Sequence, residues 1–269
     1  MRKKRSSGDT PPLGQHFLRG TWAARALANA AHASEGLVVE IGPGTGVLTR
    51  ELLALGATVI AIEKDPTLVA KLHETFPDEI AHKRLTIIEA DIRDVSARKL
   101  GLTGREYILA ANIPYYITGE IIRAFLTEEI QPRTIALLIQ KEVAQRIVSK
   151  KESILSLSVK AFGTPRIAAK VSRGNFSPPP SVDSAILVVD GISRDFFSAL
   201  DEQIFFTLVR AGFSSKRKLL AGNIAGLFGS KENAYQALLH CEISEKARAE
   251  NVPLEKWAYL AKTLQARGR

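Results

Sequence analysis

Five short apolar runs recur through the first half of the chain, and they constrain the fold more than any other feature. Residues 37–41, 58–62, 85–89, 107–111 and 134–139 are dominated by Val, Ile, Leu and Ala. They scarcely alternate with polar residues, so each strand needs cover on both faces, the condition of a parallel sheet between two layers of helices. Segments 21–33, 46–55 and 66–76 have helical periodicity, the last with Pro66 in its first turn. The expected class is α/β: a doubly wound, Rossmann-like sheet. Residues 166–173 and 184–189 read as two more strands around the turn-rich stretch 174–182, an antiparallel hairpin at the sheet edge. From about residue 195 helices follow one another without strands, at 196–211, 216–222, 232–239, 247–250 and 254–265. A length of 269 residues suits this division into a large domain at 14–190 and a small all-helical domain at 195–269, with a linker at 191–194. Residues 1–13, rich in Lys, Arg, Ser, Gly and Pro, read as a flexible basic arm.

An apolar fraction of 45% with 24% charged residues is that of an ordinary globular protein. Lys and Arg exceed Asp and Glu by 37 to 28, a net charge of +9 that favours polyanionic partners through phosphate neutralisation. The single cysteine, Cys241, excludes an intrachain disulfide and a cysteine-based zinc site, and it fits a reducing compartment. No metal site is expected. The basic start is not followed by an apolar run, and no apolar stretch has membrane-spanning length, so the expectation is a cytoplasmic protein without membrane contact. Nothing in the sequence demands more than a monomer.

The first strand runs into Glu40-Ile41-Gly42-Pro43-Gly44-Thr45-Gly46, and a helix follows. Glycines there permit a sharp turn and let a ligand approach the backbone. Glu63 ends the second strand, about twenty residues on, where a carboxylate can accept both hydroxyls of a ribose. Asp91 follows the third strand and can accept from an adenine amine. A dinucleotide would need the same edge, but this loop is E-x-G-x-G-x-G, with an acid before its first glycine and no G-x-G-x-x-G spacing for a pyrophosphate. S-adenosylmethionine suits it better: an acid for the cationic end, and loop amides for the carboxylate. The loop resembles the first motif of class I methyltransferases. Glu40, Gly42, Gly44, Glu63 with its neighbour Lys64, and Asp91 with its neighbour Ile92 are the cofactor-binding candidates.

After the fourth strand comes Ala110-Ala111-Asn112-Ile113-Pro114-Tyr115-Tyr116. An adenine amine is a poor nucleophile because its lone pair is delocalised into the ring. The Asn112 side-chain oxygen and a carbonyl beside Pro114 can accept its two hydrogens, aiming the lone pair at a methyl donor. Tyr115 can stack on the base once it has left its neighbours. Alignment suffices for such a reaction, in keeping with the lack of a His–Asp or Cys–His constellation. DNA adenine methylation, whose usual motif has Pro at position 113, fits less well.

Taken together these segments resemble the ribosomal RNA adenine dimethyltransferase family, over nearly the whole chain. Gly14-Gln15-His16-Phe17-Leu18 resembles that family's G-Q-N-F-L motif, with His16 where the family has Asn. The resemblance implies cofactor contacts from Gln15, His16, Leu18, Gly42, Glu63, Asp91 and Asn112, and an amine-binding role for Asn112, Pro114 and Tyr115. Asn175-Phe176-Ser177-Pro178-Pro179-Pro180-Ser181-Val182-Asp183-Ser184 resembles F-x-P-x-P-x-V-D-S, which implies Phe176 as the second aromatic against an extruded adenine. The segment 212–219, with Lys216, Arg217 and Lys218, resembles a basic signature of the family's helical domain and implies contact with RNA phosphates. The implied substrate is a pair of adjacent adenines in the 3′-terminal hairpin of small-subunit ribosomal RNA, within the immature subunit, each receiving two methyls. Two alternatives remain: an Erm-type enzyme acting on large-subunit RNA, and an assembly factor that binds and checks the small subunit.

Overall fold

A computed structural model describes residues 16–34, 36–104 and 106–267. The expected basic arm and Gln15 lie outside the described residues. The apolar runs form β2 (Leu37–Ile41), β3 (Thr58–Glu63), β4 (Leu85–Glu89), β5 (Tyr107–Asn112) and β6 (Thr134–Gln140). With β7 (Thr164–Val171) and β9 (Ser184–Asp190) they make one seven-stranded sheet in the order β4-β3-β2-β5-β6-β9-β7. The first five strands are parallel, while β9 is antiparallel to β6 and to the edge strand β7, so the expected hairpin forms at the sheet edge.

Side chains alternate across each strand. Val38, Ile108, Ala110 and Leu138 face a core shared with α1 (Trp22–Ala30), α2 (Val47–Ala54) and α3 (Pro66–Thr75). Val39, Leu109, Ala111 and Leu137 face the opposite core. Both sets are fully buried, which is why the runs lack polar alternation. The second core is closed by α5 (Thr118–Thr127), α6 (Lys141–Val148) and α7 (Ile154–Lys160), helices that the sequence pattern did not assign. A glycine, Gly119, sits in the first turn of α5, and α6 follows β6 with no loop. α7 is opened by a capping box in which Ser156, rather than Glu or Gln, returns the bond to the Ser153 amide.

A two-stranded ribbon joins β1 (Phe17–Leu18) to β8 (Phe176–Ser177), pairing Leu18 with Phe176. It fastens together two motif segments far apart in the sequence. The short α4 (Pro77–Ala81) completes the first half.

The C-terminal helices are α8 (Glu202–Gly212), α9 (Leu220–Phe228), α10 (Lys231–His240) and α11 (Leu254–Arg267). Three expected helices are corrected. The 196–211 helix is divided, because the Asp201 carboxylate caps the Ile204 amide at 2.9 Å and starts α8 there. Residues 216–219 are not helical: Asn223 donates to the carbonyls of Gly212 and Ser215 at 2.6 and 3.0 Å, which holds the α8–α9 connection as a turn. Residues 247–250 hold only a 3-10 turn, Ala249–Asn251. Leu157 and Ala161 of α7 are buried among the C-terminal helices, around the fully buried Trp257.

Candidate active site

The chain order explains the site. From β2 it winds outward through β3 to β4, then returns to the other side of β2 for β5. The crevice at that reversal, beyond the carboxyl ends of the strands, is where open α/β sheets bind ligands. In the order of the sheet, Asp91 (beyond β4), Glu63 (β3), the glycine loop (β2) and Asn112 (β5) stand side by side along this edge. One cavity there is lined by all of Glu40, Gly42, Gly44, Glu63, Lys64, Asp91, Ile92, Asn112, Pro114 and Tyr115, with His16 and Leu18 closing it from the N-terminal ribbon.

The glycine loop is built by its φ angles. Gly44 has φ +59°, and a Cβ on it would lie 3.0 Å from the Phe17 ring, so the close cover of the loop by β1 requires glycine. Gly46 has φ +79° where the loop enters α2.

Glu40 is buried. Its Oε2 accepts from Thr49 Oγ1 at 2.7 Å, while Oε1 has no partner among the described residues. Burial pushes its carboxyl up to about 8; the Thr49 bond opposes this, and the nearby Glu63 charge adds to it. Once ionised, this half-satisfied carboxyl at the wall of the cavity can accept from a cationic donor.

Glu63 is more committed than the sequence suggested. Its oxygens accept from the Gly44 amide at 3.1 Å, the Lys64 amide at 2.9 Å and the Asp65 amide at 3.1 Å. A carboxylate has about four acceptor positions, so one remains. Accepting both hydroxyls of a ribose therefore requires one of these three amides to let go. Asp91 is held by Arg93, with Nε at 3.0 Å from Oδ1 and Nη2 at 2.6 Å from Oδ2, and by the Arg93 amide at 3.0 Å. The guanidinium and amide hold its carboxyl well below the usual range, and Oδ2, with one donor, keeps one acceptor position.

Asn112 Nδ2 donates to the His16 carbonyl at 3.0 Å, and its Oδ1 has no donor among the described residues. The Tyr115 hydroxyl is bonded to Ser184 Oγ at 2.7 Å, which ties the amine motif to β9. Burial raises the Tyr115 pKa, and the Ser184 bond opposes this.

Phe176 does not meet its expectation here. It is 1% exposed and packs in the core with Leu18, Val171 and Ile186, since pairing β8 with β1 turns its ring inward. It offers the cavity no open face. Lys216, Arg217 and Lys218 are exposed on the α8–α9 turn and form no ion pair among the described residues. Three contributors carried no signal that sequence reasoning used. Thr49, within the first turn of α2, meets Glu40. Arg93, two residues after Asp91, clamps it. Ser184 belongs to the proline-rich motif, which gave it no role of its own.

No helix among the described residues is long and apolar enough to cross a membrane. A family model described as "Ribosomal RNA adenine dimethylase" matches residues 9–266. A relative from Dehalococcoides mccartyi, "Ribosomal RNA small subunit methyltransferase A", is 38% identical over 252 residues, covering 92% of this chain and 86% of its own. A dimethyladenosine transferase from Plasmodium falciparum shares the fold with a TM-score of 0.79 at 24% identity, over 94% of this chain and 98% of its own. The 23S rRNA methyltransferase ErmE shares it with a TM-score of 0.73 at 24% identity, over 93% and 99%. The chain belongs to the ribosomal RNA adenine dimethylase family.

Proposed function

We propose that this chain transfers methyl groups from S-adenosylmethionine to the N6 amines of two adjacent adenines in the 3′-terminal hairpin of small-subunit ribosomal RNA, two to each. The observation that carries this is Asn112, fixed by the His16 carbonyl with its Oδ1 free at the rim of the cavity that also holds Glu40, Glu63 and Asp91. Oδ1 would accept one amine hydrogen and draw the nitrogen toward a tetrahedral form, while Tyr115, steadied by Ser184, would support the ring. When bound, the cofactor supplies an electrophilic methyl on a sulfonium sulfur. Glu40 Oε1 and a loop amide would take its amino-acid end, Glu63 a ribose hydroxyl, and Asp91 its adenine amine. The N6 lone pair forms the new N–C bond as the C–S bond breaks, and the displaced proton leaves to water, so no side chain has to act as base. Loop adenines are already partly unstacked, which lowers the cost of bringing them in.

The net charge of +9 and the exposed cations at 216–218 support an RNA substrate in the immature small subunit. With such a substrate the protein works in the cytoplasm. One chain carries the whole cleft, so a monomer suffices. The test is incubation with unmethylated small subunits and labelled cofactor, followed by mass spectrometry of the nucleosides. N6,N6-dimethyladenosine from the small-subunit RNA is expected. Its absence with folded protein sinks the reading, and label on large-subunit RNA instead would make this an Erm-type enzyme.

A further inference from the structure

A tryptophan ordinarily hides most of its surface, yet Trp22, the first residue of α1, is 56% exposed. Its place on the helix explains this. Ala23, Ala24, Leu27 and Ala28 form the face of α1 that packs on the core. Trp22 lies on the opposite face, with the exposed Arg25 and Asn29 three and seven residues on. We infer that Trp22, with Arg19 and Arg173, carries the single-stranded RNA that flanks the target base; this rests on the proposed adenine methylation. A base in the cleft stays joined through its phosphates to neighbours that must pass over the rim, and these three side chains stand beside it.

The fold gathers them from three segments. Leu18, at the end of β1, lines the cavity, and Arg19 follows it. The Arg19 amide donates to the Asn175 carbonyl at 2.7 Å, two residues beyond Arg173. Strand β7 ends at Val171, which is buried in one core with Leu18, Ala23 and Phe176. The start of α1, the end of β7 and the β1–β8 ribbon therefore meet at one side of the cleft. Arg19 and Arg173 are exposed there and form no ion pair among the described residues. Arg25, by contrast, is committed to Glu51 at 2.9 Å. Asp183 accepts from the Arg173 amide at 3.1 Å, so that acid holds the backbone and not the guanidinium. An open indole between two such cations fits a chain of flat bases and phosphates: bases stack on the aromatic ring, and guanidinium groups meet the backbone charge. A protein partner would call for a contiguous apolar centre, whereas Gly20, Thr21 and Arg25 around Trp22 are exposed without being apolar.

The test compares Trp22→Ala, Trp22→Phe and the double variant Arg19→Ala with Arg173→Ala against the unaltered chain. Each is assayed for Kd and kcat/KM on unmethylated small subunits, and for the Kd of S-adenosylmethionine by calorimetry. The unaltered complex is also irradiated in the ultraviolet and digested with trypsin, and nucleotide adducts are mapped by mass spectrometry. An adduct is expected on peptide 20–25, which contains Trp22. Trp22→Ala should weaken small-subunit binding by roughly 5- to 100-fold, the range for loss of one base–aromatic stack, while Trp22→Phe stays within about threefold and cofactor Kd is unchanged in all. The double variant should lower the log–log salt slope by about 1.4, at ~0.7 for each phosphate of a single strand. Trp22→Ala binding and methylating small subunits as the unaltered chain does would overturn the inference and leave the functional reading standing. So would an adduct map that marks other peptides of the chain and leaves 20–25 bare. Cofactor Kd rising in step with small-subunit Kd would overturn it in favour of a structural role for Trp22 at the ribbon. If the unaltered protein dimethylates no RNA adenine, the functional reading itself fails, and this inference with it.

Discussion

Glu40→Gln tests the chemistry of the cofactor pocket most directly. The unperturbed carboxyl titrates near 4.5 and the buried one near 8. Between these values the folded chain holds a proton that the unfolded chain has lost, so stability falls as pH rises. The advantage is fully present below 4.5 and gone above about 8. At about 1.36 kcal/mol per pH unit the interval from 4.5 to 8 amounts to roughly 5 kcal/mol, an upper bound. The Gln variant lacks this slope. Its amide oxygen can keep the Thr49 bond, and its buried NH2 adds a pH-independent cost of about 1–3 kcal/mol. Denaturant titrations at several pH values should therefore show the stability difference between the two proteins closing, then reversing in favour of Gln, as pH rises. Cofactor binding should show the complementary effect. Glu40 must ionise to meet a cationic group, which weakens binding about 10-fold at pH 7 and about 100-fold at pH 6 relative to the ionised site. Calorimetry with S-adenosylhomocysteine, which keeps the amino-acid end, should give log Kd falling by about one per pH unit between 6 and 8, with about one proton released at pH 7. A flat profile for the original protein, or the same slope in the Gln variant, would refute the assignment of Glu40 to the cationic end.

Asn112→Ala should remove methyl transfer and spare cofactor binding more than Asp91→Ala does; equal loss of cofactor affinity in the two, by calorimetry, would count against their separate roles. Gly46→Ala places a Cβ 2.6 Å from the Phe76 ring at φ +79°, so thermal unfolding should show a loss of roughly 2–5 kcal/mol from backbone strain and overpacking together. Trp257→Ala empties a fully buried site stacked on Phe213, and denaturant unfolding of the C-terminal helices should register roughly 3–5 kcal/mol. Replacing Lys216, Arg217 and Lys218 with Ala should weaken RNA binding at all sequences and reduce its log–log salt slope by about one for each phosphate no longer neutralised; an unchanged slope removes that turn from the RNA path.

Much of this architecture is written in local pattern. Strands buried on both faces are predominantly apolar, so runs such as Leu37–Ile41 and Thr134–Gln140 declare themselves and imply their helical cover. The glycine loop is legible because Gly44 and Gly46 occupy φ values that other residues avoid. Asn112-Ile113-Pro114-Tyr115 is legible because its chemistry demands those groups in that order. Helices α5 to α7 are obscured by a first-turn glycine, an uninterrupted strand–helix junction and an unusual capping partner. The tertiary structure alone decides which side chains are free. Pairing β1 with β8 buries Phe176 and brings His16 beside Tyr115. The fold carries Thr49 to Glu40 and the Gly44 amide to Glu63. Sequence specifies which groups a chain possesses and their local conformation; how residues distant in the chain meet depends on how the elements pack. An acceptor's remaining capacity, or a ring's open face, is set only once those elements have come together.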